Sequence, residues 1–169
     1  MITEPQNEER PLADEGSWVY LIGAGNRRED AGELRERVID ACEASGWPAV
    51  SWSPDTKGAE KEPGRLFEGM RHAVAHSDFV VALLGAPAGT VDAELAIAYG
   101  HRRPIVGIHR SAEGMAISKT QAMLEDYEVA RLIRCEDLEG CAAQLRGVLS
   151  DPDFTAAIHA SAGENEKHG

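Results

Sequence analysis

SDFVVALLGAPAGTVDAELAIAYGHRRPIVGIHR, Ser77 to Arg110, carries the pattern from which the architecture follows. Phe79 to Leu84 and Pro104 to Ile108 are short, nearly continuous apolar runs with β-branched residues at their centres. That is the composition of strands buried on both faces of a parallel sheet. One crossover helix fits between them. The connection Gly85 to Thr90 therefore leaves the carboxyl end of a strand, which is where open α/β sheets bind ligands. Glu94 is expected in the first turn of the helix that follows.

Upstream, Trp18 to Ile22 reads as a first strand, and GAGNRRED (Gly23 to Asp30) as a polar glycine loop leading into a helix from about Asp30 to Ser45. Asp30 with Glu33 has capping-box character, Leu34, Val38, Ala41 and Cys42 recur at helical spacing, and Gly46 ends the helix. Ala49 to Trp52 is a second strand, and Ser53 to Gly64 a polar loop long enough to cover a site. Arg65 to Ser77 reads as a second helix with Leu66, Phe67, Met70, Ala73, Val74 and Ser77 turned inward. Ser118 to Asp126 reads as helical and Val129 to Ile133 as a fifth strand. Leu138, Cys141, Ala142, Leu145, Val148 and Leu149 mark a last amphipathic helix. Alternation of this kind predicts an α/β fold: a doubly wound, five-stranded parallel sheet in a flavodoxin-like or Rossmann-like three-layer sandwich, with right-handed crossovers.

With 169 residues, 43% hydrophobic and 27% charged, the chain suits one domain with a sizeable core. We expect that domain over 17–154, with solvated tails over 1–16 and 155–169. A formal net charge of -12 speaks against nucleic-acid polymers and anionic membranes as partners, because a phosphate-tracking surface would repel the chain. A small anion held by a local arginine cluster is compatible with it. No apolar run approaches the roughly 20 residues that cross a bilayer. Cys42, Cys135 and Cys141 are odd in number and lack a Cys-x-x-Cys pair, so reduced thiols and a cytoplasmic location are expected.

Two constellations carry candidate chemistry. Gly23 to Asp30 offers backbone amides at a helix start, with Arg27 and Arg28 as charged clamps, an arrangement suited to phosphate. Arg28 stands at the third glycine position of a dinucleotide fingerprint, and no Gly-Lys-Ser/Thr ending follows, so dinucleotide and triphosphate sites are disfavoured. The alternative is a surface turn whose arginines pair with Glu29 or Glu33. Glu94, beside a strand-end loop, is either a helix-capping carboxylate or a nucleophile of the kind that traps an oxocarbenium-like glycosyl centre. Asp92 should point away from Glu94 and cap the helix. His72 and His76 can meet on one helix face, but no third ligand accompanies them, and exposed histidines are the favoured reading. His101, Arg102 and Arg103 suit the carbonyl end of a helix. No metal or organic cofactor is expected.

VYLIGAGNRRED (Val19 to Asp30), SDFVVALLGAP (Ser77 to Pro87) and DAELAIAYGHRRPIVGI (Asp92 to Ile108) together resemble the nucleoside 2'-deoxyribosyltransferase superfamily. The closest likeness is to its branch of nucleoside 5'-monophosphate N-glycosidases, and it spans about Trp18 to Leu149. The resemblance implies Glu94 as nucleophile and Tyr20 as the residue that orients the sugar. It also implies a substrate-binding set of Gly23, Gly25, Asn26, Arg27, Arg28, Met70, Ala88, Gly89, Thr90 and Ser118. Ser118 falls where the branch has a serine that reaches the phosphate of a neighbouring subunit's ligand, which implies a homodimer with shared sites. The implied partner is a small nucleotide, and the implied activity is hydrolysis of its N-glycosidic bond. The same site could serve a glycosyl transferase or a protein that only binds nucleotides. Met70 stands where the family carries an aspartate, and Ala88 where it carries an aspartate or serine. Catalysis is then expected to be weaker, or supported by an activated base, by Asp55 or Glu60, or by a partner protein.

Overall fold

The computed structural model describes residues 17–23, 29–50, 63–85, 89–110 and 117–165. Five strands, β1 (Val19–Ile22), β2 (Ala49–Val50), β3 (Phe79–Leu83), β4 (Ile105–Arg110) and β5 (Ala130–Cys135), form one sheet in the order β2-β1-β3-β4-β5. Every pairing is parallel. That order is the flavodoxin-like doubly wound arrangement, as the βα alternation predicts. The helices are α1 (Glu29–Ala44), α2 (Pro63–His76), α3 (Gly89–Gly100), α4 (Lys119–Ala122, continued by a 3-10 turn Met123–Glu125), α5 (Leu138–Leu149) and α6 (Pro152–Asn165).

Strand side chains alternate between two apolar layers. Val19, Leu21, Phe79, Val81, Leu83, Val106 and Ile108 pack with Leu34, Val38 and Cys42 of α1, Cys141 and Leu145 of α5, and Phe154 and Ile158 of α6. Tyr20, Ile22, Val80, Ala82 and Ile105 face the other way, onto Ala73 and Val74 of α2, Val91, Leu95 and Ala98 of α3, and Leu124. Burial on both faces is why the strand sequences read as continuous apolar runs. Gly46, at φ +85, ends α1 as expected, with Trp47 N–H bonded to the Cys42 carbonyl at 2.9 Å.

Three expectations are corrected here. Residues 155–165 are not a tail, because α6 runs to Asn165. Asp151 accepts the Asp153 N–H at 3.0 Å, Pro152 fills the first helical position, and Phe154 packs edge-on to Phe79 at 5.9 Å. Phe67 shares a helix face with Met70 and Val74 but is 48% exposed, since the second layer of the core is filled from Ala73 onward. The three cysteines are not all thiols. The β5–α5 turn brings Cys135 and Cys141 to a Cα separation of 5.3 Å, and they form a disulfide, leaving Cys42 free and buried.

Candidate active site

β1 and β3 lie side by side, yet α1 packs on one face of the sheet and α3 on the other. Their carboxyl ends therefore open a crevice at the topological switch point, the place where this architecture binds ligands. Gly23 closes β1 at φ +82, and a Cβ there would stand 2.7 Å from the carbonyl oxygen of Leu83, so only glycine fits. Gly85, at φ +87, turns the chain away from β3.

At this crevice the phenol of Tyr20 donates a 2.8 Å hydrogen bond to Glu94 Oε2. Tyr20 is 1% and Glu94 7% exposed. The two meet because Tyr20 points from β1 toward the layer that α3 covers, and Glu94 faces the sheet from the second turn of α3. That placement corrects one expectation. α3 begins at Gly89, so Glu94 is past the first turn, where the helix dipole is strongest. Its carboxyl is also not favoured as the anion: burial raises it from 4.5 to about 7, opposed by the Tyr20 hydrogen bond. Tyr20 is itself driven far above its ordinary value, first by burial and then by the Glu94 charge, so it remains a hydrogen-bond donor.

A second polar group holds the surroundings of Glu94. Ser118 caps α4, accepting the Gln121 N–H at 3.1 Å and donating its own hydroxyl to Asp92 Oδ1 at 2.8 Å. Gln121 donates from Nε2 to the same Asp92 oxygen at 3.2 Å and accepts the Gly85 N–H at 3.2 Å. Asp92 thus bridges α3 to α4 instead of capping its own helix. Gln121 is 1% exposed, and its residue type alone does not mark it in the sequence. The available signal was Ser118-x-x-Gln121, which has capping-box spacing.

Met70 is buried on α2. Gly89 and Thr90 form the start of α3. Gly25, Asn26, Arg27, Arg28 and Ala88 lie outside the described residues, as do Asp55 and Glu60. His72 and His76 stack at 4.1 Å on the exposed side of α2, and among the described residues no three His, Cys, Asp or Glu side chains gather around a metal position. Arg103 is not a solvated helix-end cation. It is 1% exposed and donates to the Ala75 carbonyl oxygen at the end of α2 and, at 3.1 Å, to Ser161 of α6.

No protein-family model and no curated protein sequence matches the chain. Among solved structures, the chain is similar to the CMP N-glycosidase BcmB of Clostridium botulinum, with a TM-score of 0.59 and 18% identity over 76% of this chain and 97% of that one. At that identity the likeness is one of fold, and it extends over nearly the whole of the compared chain.

Proposed function

We propose that the protein hydrolyses the N-glycosidic bond of a nucleoside 5'-monophosphate, or of a modified nucleotide, releasing free base and sugar 5-phosphate. The observation that carries this reading is the buried Tyr20–Glu94 pair at the switch-point crevice. With Oε2 held by Tyr20, Oε1 of ionised Glu94 attacks the anomeric carbon as the bond to the base breaks, and the base leaves with its electron pair and takes up a proton. Water then cleaves the glycosyl ester and returns Glu94 to its carboxylate. Gly23, Gly25, Asn26, Arg27, Arg28, Ala88, Gly89 and Thr90 are the proposed sugar-phosphate contacts. Met70 lines the base side, and Ser118 approaches the ligand of a second subunit in a homodimer. The solved structure of similar fold is a CMP N-glycosidase by name, which supports the substrate class. No helix among the described residues is long and apolar enough to cross a membrane. A cytoplasmic setting belongs to this reading, and there the Cys135–Cys141 pair would exchange with the thiol pool.

The test is chromatography of free base after incubating wild type and Glu94→Gln with ribo- and deoxyribonucleoside 5'-monophosphates and the matching nucleosides. Release by wild type alone, and from phosphorylated substrates alone, supports the reading. Unchanged release by Glu94→Gln removes Glu94 from the mechanism. Supplying a second base separates hydrolysis from glycosyl transfer, because only a transferase makes the exchanged nucleotide. A specific observation favours a binding role instead: Met70 is buried at the position where the resembled family has its aspartate. Tight nucleotide binding without turnover would establish that alternative.

A further inference from the structure

We propose that Gln121 is a positioning residue that locks the carboxyl end of β3 to the start of α3 and so fixes where Glu94 stands. The proposal rests on the glycosidase reading above for its catalytic consequence, but its geometry is independent of it. Gly85 closes β3, and Asp92 lies two residues before Glu94 on α3. One carboxamide serves both, accepting the Gly85 N–H and donating to Asp92 Oδ1, each at 3.2 Å. Its own backbone N–H is bound by Ser118 Oγ, whose hydroxyl donates to the same Asp92 oxygen at 2.8 Å. The circuit is closed: no member can swing away without leaving a buried polar group unpaired, and such groups are strongly disfavoured. A carboxamide is the side chain suited to this place, because it must accept on one side and donate to a carboxylate on the other.

The experiment compares Gln121→Ala, Gln121→Glu and the double variant Gln121→Glu/Asp92→Asn with wild type, after circular dichroism confirms that each is folded. The carboxylate introduced by Gln121→Glu can still accept from Gly85 but repels Asp92. Adding Asp92→Asn supplies a carboxamide that donates to the new carboxylate, which restores the pair with its polarity reversed. Gln121→Ala and Gln121→Glu should each lower kcat by about 10- to 100-fold with KM changed less than about threefold, since the loss is one of alignment. The double variant should recover most of the kcat lost by Gln121→Glu. Wild-type kcat in Gln121→Ala overturns the proposal, as does a double variant no better than Gln121→Glu. Amide hydrogen exchange supplies a readout that needs no turnover. The Gly85 amide should exchange at least about 10-fold faster in Gln121→Ala while the β5 amides stay as in wild type. If wild type releases no base from any nucleotide, the glycosidase reading fails by itself, and unchanged exchange at Gly85 would then overturn the clasp.

Discussion

Tyr20 Oη and Glu94 Oε2 lie 2.8 Å apart although 74 residues separate them in the chain, and the bond joins the middle of β1 to the second turn of α3. It sets two opposed effects on one carboxyl. Burial holds the proton on Glu94 up to about pH 7, and the phenol hydrogen bond favours losing it. A carboxylate nucleophile works only when ionised, so single-turnover base release should rise about tenfold per pH unit below 7 and level off above it. Tyr20→Phe removes the effect that favours the anion. Its profile should shift to higher pH by about one unit, with a rate lower by roughly fivefold at pH 7 and about tenfold well below it. A flat profile from pH 5 to 8 in wild type would count against Glu94 as the ionising group.

The same carboxyl makes stability depend on pH. Between its ordinary 4.5 and about 7, folded protein keeps a proton that unfolded chain releases, so unfolding free energy falls as pH rises through that window. Glu94→Gln has no such proton. Relative to wild type it should gain roughly 3 kcal/mol on going from below pH 4.5 to above pH 7, the size set by the shift. Urea unfolding of both proteins at pH 5 and pH 8 checks this. A difference between them that is equal at the two pH values would mean that Glu94 ionises normally in the folded protein.

What could be read from the chain follows what each residue's neighbours are. Phe79 to Leu83 is buried on both faces, so it is apolar at every position and legible as a strand without knowing its partners. Leu34, Val38 and Cys42 disclose α1 in the same way, through local spacing. α6 escaped because two anchors, Phe154 and Ile158, join it to the core layer, and its other residues are mostly small or polar. Its start was nonetheless written in Asp151-Pro152. Glu94 stands out by its place after the strand-end loop and Tyr20 only through the family resemblance, whereas the sign of the Glu94 shift depends on burial by residues distant in sequence. Gln121 looked like any polar residue of a short helix, and its role exists only once β3, α3 and α4 have met.

Gly23 offers a test of the crevice that is separate from its chemistry. At φ +82, with a Cβ position 2.7 Å from the Leu83 carbonyl oxygen, Gly23→Ala must both strain the backbone and push β1 away from β3. We expect a loss of stability of about 2 kcal/mol or more, seen as a lower urea midpoint with unchanged slope. Because Tyr20 lies three residues upstream on the same strand, the Glu94 titration should move as well. Gly32 has nothing within 4 Å of its Cβ position and serves as the control, since Gly32→Ala in a helix should be neutral or stabilising. Equal effects at the two glycines would refute the close approach at Gly23.

Thiol counting separates the two kinds of cysteine. Cys42 is buried, and burial, with the Glu43 charge adding to it, pushes its thiol up to about 12, so it should not react with an alkylating reagent while the protein is folded. Cys135 and Cys141 are bonded to each other. Native oxidised protein should therefore show no reactive thiol, protein unfolded without reductant one, and unfolded reduced protein three. The bridge ties the end of β5 to the first turn of α5 across a sequence separation of six, a short loop whose closure restricts the unfolded chain by about 2 kcal/mol. Reduction should lower stability by that order while leaving the Tyr20–Glu94 titration in place, because the bridge sits on the opposite face of the sheet, in the α1–α5 layer. Three thiols in protein purified and unfolded without reductant would show that the pair stays reduced.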